Sequence, residues 1–95
     1  MRVTIWDLDY YYAKDKRNCY NVDAMRISSF HKQSGDYVNF VRNEDDIRRP
    51  YDLYYIIKEK STTPNAPLDF YTNSKVRFWG KANKAHITWK MDRVM

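Results

Sequence analysis

Glycine and cysteine are scarce in this chain of 95 residues, which holds two of the first and one of the second. With two glycines no Gly-x-Gly-x-x-Gly occurs, so the glycine-rich phosphate cradles of Walker and dinucleotide-binding loops are excluded. Cys19 stands alone, which rules out an internal disulfide framework and any cysteine-rich metal or iron–sulfur site. No apolar run approaches the roughly 18 residues of a membrane span, and the mean hydropathy is −0.85. The first ten residues carry Asp7 and Asp9 and no apolar h-region, which argues against a secretory signal. A soluble, reducing, cytoplasmic setting without membrane contact is therefore expected.

Aromatic side chains are plentiful: they make up 17% of the chain, with nine tyrosines and three tryptophans. A chain this short forms one domain and buries only about 60–65% of its unfolded surface, so its core is thin and leans on those rings. Seventeen Lys and Arg against twelve Asp and Glu give a net charge of +5, which favours polyanions, phosphate groups or acidic partners. The balance is uneven. From Lys75 onward there are six basic residues against the single acid Asp92, whereas Glu44-Asp45-Asp46 is an acidic run followed by Arg48-Arg49. A merely solvated surface with a basic tail is the plainer reading of the same pattern.

Arg2 to Leu8 reads as a strand, with Val3 and Ile5 on one face and Thr4, Trp6 and Leu8 on the other, apolar on both sides as a central strand must be. The chain then turns polar and aromatic through Tyr10-Tyr11-Tyr12. Asn21 is a good N-cap for a helix over Val22 to Ser34, with Asp23 in its first turn. Ala24, Ile27, Ser28 and His31 form the inner stripe, flanked by Phe30, with Arg26, Ser29 and Gln33 opposite. Gly35 suits a left-handed cap, and Tyr37 to Val41 reads as the second strand. Strand, helix, strand implies a right-handed crossover in a parallel sheet. Arg42 to Arg49 is a charged connection with room for one helical turn. Tyr51 to Ile57 is a third strand, Leu68 to Tyr71 a short helix opened by Asn65 or Pro67 and closed by Asn73, and Lys75 to Trp79 a fourth strand stopped by Gly80. The expected fold is a small three-layer α/β sandwich with a mainly parallel, flavodoxin-like 2-1-3-4 sheet. It spans residues 1–83, with 84–95 a basic C-terminal tail forming either a helix or an edge strand.

In such a sheet a ligand sits at the carboxyl ends of the strands, beside the switch in strand order. The residues delivered there are Asp7, Asp9 and Tyr10 after strand one, Lys58, Ser61 and Thr62 after strand three, and Arg42 and Asn43 after strand two. We expect the first six to form a ligand edge, although loops at sheet edges also collect polar groups without binding anything. Asp7-Leu8-Asp9 superficially looks like the Asp-x-Asp of haloacid-dehalogenase-like phosphatases, in which a carboxylate nucleophile works with Mg²⁺. No paired acidic motif follows the fourth strand, so a Mg²⁺-dependent phosphatase is kept only as an alternative. A second alternative is a single-strand nucleic-acid surface built from Lys75, Arg77, Trp79, Lys81 and Lys84. Phe78 and Trp79 point to opposite faces of their strand, so at most one can serve as a stacking platform. His31 reads as a packed, hydrogen-bonded histidine, His86 as solvent-facing and Cys19 as a small half-buried side chain. No catalytic residue and no metal ligand is assigned.

Three segments taken together carry a resemblance. They are the strand ending in Asp7-Leu8-Asp9, the stretch from Asp23-Ala24-Met25-Arg26-Ile27-Ser28 through His31-Lys32 to Gly35-Asp36, and Tyr51-Asp52-Leu53-Tyr54-Tyr55. Over roughly residues 1 to 60 the chain resembles the N-terminal cobalamin-binding-like domain of radical S-adenosylmethionine proteins. The Asp-x-His-x-x-Gly that ligates cobalamin has no counterpart, since Asp9 runs into Tyr10-Tyr11-Tyr12, and the three-cysteine cluster motif is absent. Cobalamin is therefore not expected, and the cofactor is left unassigned. The resemblance implies a non-catalytic accessory or ligand-recognition domain, either a detached N-terminal domain of a longer enzyme or a stand-alone relative. Its partner would be the remainder of that enzyme or another protein. Pairing of exposed sheet edges into a homodimer is a further alternative.

Overall fold

The computed structural model describes residues 1–13 and 21–82. The domain boundary at residue 83, the tail 84–95 with Lys84 and His86, and Cys19 lie outside the described residues.

The first strand, β1 (Arg2–Asp7), is buried on both faces: Val3, Ile5 and Trp6 are almost wholly covered. It passes directly into a five-residue helix, α1 (Leu8–Tyr12), where the sequence extended the strand to Leu8 and indicated no element after it. The reason is Asp7, which ends the strand and also caps the helix by accepting the Tyr10 N–H. The main helix, α2 (Val22–Gln33), begins where expected, with the Asn21 side chain accepting the Asp23 N–H at 2.7 Å. Its last turn closes by paired bonds from Gly35 N–H to Lys32 C=O at 3.1 Å and from Asp36 N–H to His31 C=O at 2.9 Å. Gly35 takes the left-handed φ of +87° that this closure requires. Phe30, which flanks the inner stripe, is 64% exposed. At 3.6 residues per turn it lies about 125° from the mean direction of Ala24, Ser28 and His31.

The second strand is β2 (Tyr37–Phe40), followed by a single turn, α3 (Glu44–Ile47). The third, β3 (Leu53–Ile57), starts two residues later than the aromatic run suggested. Leu68–Thr72 form a 3-10 helix between Pro67 and Asn73, and β4 (Val76–Trp79) closes the set. All pairings are parallel and the strand order is β2-β1-β3-β4, with Val3 level with Val38 and Leu53, and Tyr54 level with Val76.

The sheet is the middle of three layers. On one face Val3, Ile5 and Ile57 pack against Ala24 of α2, with Ile27, Val38, Phe40, Leu53 and Tyr55 around them. On the other, Trp6, Leu8, Val41, Tyr54, Ile56 and Val76 pack with Ala66 and Phe70 beneath α1, α3 and the 3-10 helix. Trp6 meets Tyr11 and Phe70 edge-on at 5.5 and 5.9 Å, so rings fill what aliphatic side chains would fill in a larger domain. Among the described residues no helix is long and apolar enough to cross a membrane.

Candidate functional site

The carboxyl ends of β1 and β3 lie side by side, with Asp7 level with Ile57. Asp7 belongs to the α2 face of the sheet and is 2% exposed. One of its oxygens accepts the Asn21 N–H at 2.8 Å and the other the Tyr10 N–H at 3.3 Å, so a single carboxylate anchors the starts of both α1 and α2. Burial pushes its pKa above the ordinary aspartate range, opposed by those two N–H donors and reinforced by the neighbouring charge of Asp9.

Asp9, in the first turn of α1, reaches across to the segment that follows β3. Its Oδ2 accepts the Glu59 N–H at 2.7 Å, and its Oδ1 accepts the Lys60 N–H at 3.2 Å and the Thr63 hydroxyl at 2.7 Å. Thr63 N–H donates back to the Lys60 carbonyl at 3.2 Å and closes the turn that carries Ser61 and Thr62, both exposed. Lys58 lies on the face opposite Asp7, is 5% exposed, and donates from Nζ to Asn65 Oδ1 at 2.8 Å. Its main chain is held at both ends, by Lys58 N–H to Trp79 C=O at 3.0 Å and by Ala82 N–H to Lys58 C=O at 3.2 Å. Gly80, at φ +103°, makes this closure fit, because a Cβ there would fall onto the Lys58 carbonyl oxygen.

The structure thus brings Asp7, Asp9, Tyr10, Lys58, Ser61 and Thr62 to one edge of the sheet, in two different settings. Asp7, Asp9 and Lys58 are engaged with the chain itself and shape the edge. Ser61 and Thr62 are exposed beside exposed Lys60, and Tyr10, which follows Asp9 in α1, is half-buried. Hydroxyl donors and acceptors next to an amine, over a turn fixed from below, can hydrogen-bond a polar or phosphate-bearing ligand.

At the end of β2, Arg42 and Asn43 are exposed, and the organising residue is Asp46, which the sequence reading passed over as part of a charged linker. It is 7% exposed and accepts the Arg42 N–H at 3.0 Å and Arg49 Nε–H at 2.7 Å. The first of these bonds, aided by Arg49, holds its pKa below the ordinary value. Asn65 and Thr63 were missed likewise. Their partners, Lys58 and Asp9, are seven and fifty-four positions away in sequence, and no local motif announces either bond.

His31 is buried at the far end of α2, bonded through Nδ1 to Asp36 at 2.8 Å and through Nε2 to the Tyr55 hydroxyl at 3.0 Å. The His31 bond, then the bond from the N-terminal amine, lowers the Asp36 pKa. This chain ties the end of α2 to β3 at the amino edge of the sheet, away from Asp7 and Asp9. The basic and aromatic residues Lys75, Arg77, Trp79 and Lys81 are exposed along and just beyond β4. Phe78 is on the opposite face, stacked on Tyr71 at 4.7 Å with a 3° interplanar angle. Among the described residues no group of three His, Cys, Asp or Glu side chains is placed to share a metal ion. No family model, curated protein or solved structure matches the chain.

Proposed function

We propose that this chain is a non-catalytic ligand-recognition domain that binds at the carboxyl edge of its parallel sheet. It would act in the cytoplasm as an accessory to the remainder of a longer enzyme or to a partner protein, in the manner of the N-terminal domain it resembles. One observation carries the reading: Asp9 fixes the segment 59–63 by three hydrogen bonds directly beside the end of β1, so Ser61 and Thr62 stand exposed on a braced turn at the switch in strand order. The role of the carboxylates favours binding over phosphoryl transfer. Both oxygens of Asp7 accept main-chain N–H groups and the side chain is buried, whereas a nucleophile needs a lone pair open to the substrate.

The test is a thermal-shift panel on the full chain with cobalamins, S-adenosylmethionine, and nucleotides with and without Mg²⁺. A ligand at about a hundredfold its Kd should add about 2.7 kcal/mol, several degrees for a domain of this size. The reading predicts such a shift with one class, and its loss in a Ser61→Ala, Thr62→Ala double variant whose unliganded Tm is unchanged. No shift with any class, or a shift untouched by that variant, overturns it.

A further inference from the structure

Lys58 is buried without the partner that burial of a lysine calls for. Lysine is almost never fully covered unless an acid pairs with it, yet Lys58 is 5% exposed just past the carboxyl end of β3. Its ammonium carries three N–H donors and meets one neutral acceptor, Asn65 Oδ1 at 2.8 Å. No ion pair reaches it among the described residues. Nor does it follow the usual compromise, in which the stem covers apolar surface and the head stays in water, because almost nothing of it reaches solvent. The acids at neighbouring positions are committed elsewhere. Asp9 accepts the Glu59 and Lys60 N–H groups and the Thr63 hydroxyl, and Glu59 Oε1 accepts the Lys81 N–H at 3.3 Å. Asp7, level with Ile57, lies on the opposite face of the sheet.

Other donors around Lys58 are in the same condition. Trp6 is level with Ile56, on the face that Lys58 continues, and its buried Nε1–H has no acceptor among the described residues. On the turn that follows, the main-chain N–H groups of Ser61 and Thr62 make no hydrogen bond to the described residues, and both residues are exposed. Buried donors without acceptors are costly, and a buried cation without a counter-charge more so.

We infer that the carboxyl edge takes a phosphate-bearing ligand whose phosphate is bound by Lys58 Nζ. The inference rests on the reading of that edge as a recognition site and names the chemistry it recognises. A phosphate fits better than a carboxylate because of its oxygens. Three of them can accept from the two spare Nζ donors and from the turn at Ser61 and Thr62 together, whereas a carboxylate has two. Its negative charge also offsets the buried ammonium, which folding alone leaves uncompensated.

Thermal melting of the full chain in inorganic phosphate at constant ionic strength tests this, with acetate as the carboxylate control. Phosphate should raise the Tm saturably, over and above the linear rise that any kosmotropic salt gives. Lys58→Met should weaken that saturable response about 10- to 150-fold, the effect of a lost charged hydrogen bond, while the linear rise remains. Asn65→Asp puts a carboxylate where the amide oxygen now meets Nζ, and it should lose the response likewise. It decides the matter alone if Lys58→Met does not fold. A saturable response kept in either folded variant overturns the inference, as does its absence from the unaltered chain. So does acetate matching phosphate at equal concentration. A response that Lys58→Met removes but Ser61→Ala, Thr62→Ala leaves intact supports phosphate at Lys58 and overturns the role of the exposed turn. A panel ligand whose shift needs Ser61 and Thr62 but persists in Lys58→Met keeps the edge as a recognition site and overturns the phosphate assignment.

Discussion

Gly35 and Gly80 both adopt positive φ, yet they answer to different constraints. Nothing lies within 4 Å of the Cβ that alanine would add at Gly35, so Gly35→Ala faces only the left-handed backbone, about 1–2 kcal/mol. At Gly80 the same atom would land on the Lys58 carbonyl, which is backbone and cannot swing aside. Gly80→Ala should therefore cost about 3 kcal/mol or more, among the larger effects of single substitutions. Urea denaturation of the two variants checks this, and equal losses would contradict the close approach. Asp7 makes a second prediction at this scale. Its pKa is raised by burial, so between the ordinary aspartate value and its own the native state holds a proton that the unfolded state has released. Its contribution to stability therefore falls as pH rises through that window and is level above it. Asp36 and Asp46, with lowered values, contribute the opposite slope: stability present above the ordinary value and lost as pH falls through their own. Carboxyl-carbon NMR titration should place the Asp7 midpoint above that of an unstructured aspartate and the other two below it.

Among the elements, the segment 59–63 depends most on one remote side chain. Asp9→Ala removes three acceptor contacts and strands the Glu59 N–H, so it should cost about 2–4 kcal/mol and speed hydrogen exchange at the Glu59 and Lys60 amides. Slow exchange at both amides in that variant would show that the segment is held some other way. Most element boundaries were legible in the sequence because their chemistry is local. Asn21 caps the helix that follows it, Gly35 ends it, Pro67 and Asn73 bracket the 3-10 helix, and the two apolar faces of Val3 to Trp6 mark a central strand. The exceptions are instructive. The helix α1 was hidden because three consecutive tyrosines carry no helical stripe and its cap, Asp7, also ends a strand. The third strand starts at Leu53 and not at Tyr51, because an aromatic, apolar run does not by itself mark where ladder pairing begins. The candidate edge was legible only in outline. Parallel topology told which residues meet, but the donors that claim Asp7 and Asp9 are mainly main-chain N–H groups, identical at every residue and thus without a sequence signature.

For the molecule as a whole, the strand order β2-β1-β3-β4 follows from two apolar-faced strands, β1 and β3, taking the centre. The polar chain Tyr55–His31–Asp36 locks α2 to the sheet at the end opposite the switch point. His31→Ala should thus lower stability by about 2–4 kcal/mol, since it leaves the buried end of that chain unpaired, while ligand affinity at the carboxyl edge stays the same. The division of labour, with an amino edge that holds the fold and a carboxyl edge that recognises, is the central claim. Amide NMR shift mapping of the full chain with whichever probe of the panel raises the Tm tests it most directly. The account predicts perturbations clustered at Tyr10 and residues 60–63, with the amides of His31, Asp36 and Tyr55 unmoved. Perturbations confined to the outward face of α2 or to the amino edge, with Tyr10 and residues 60–63 silent, would contradict it.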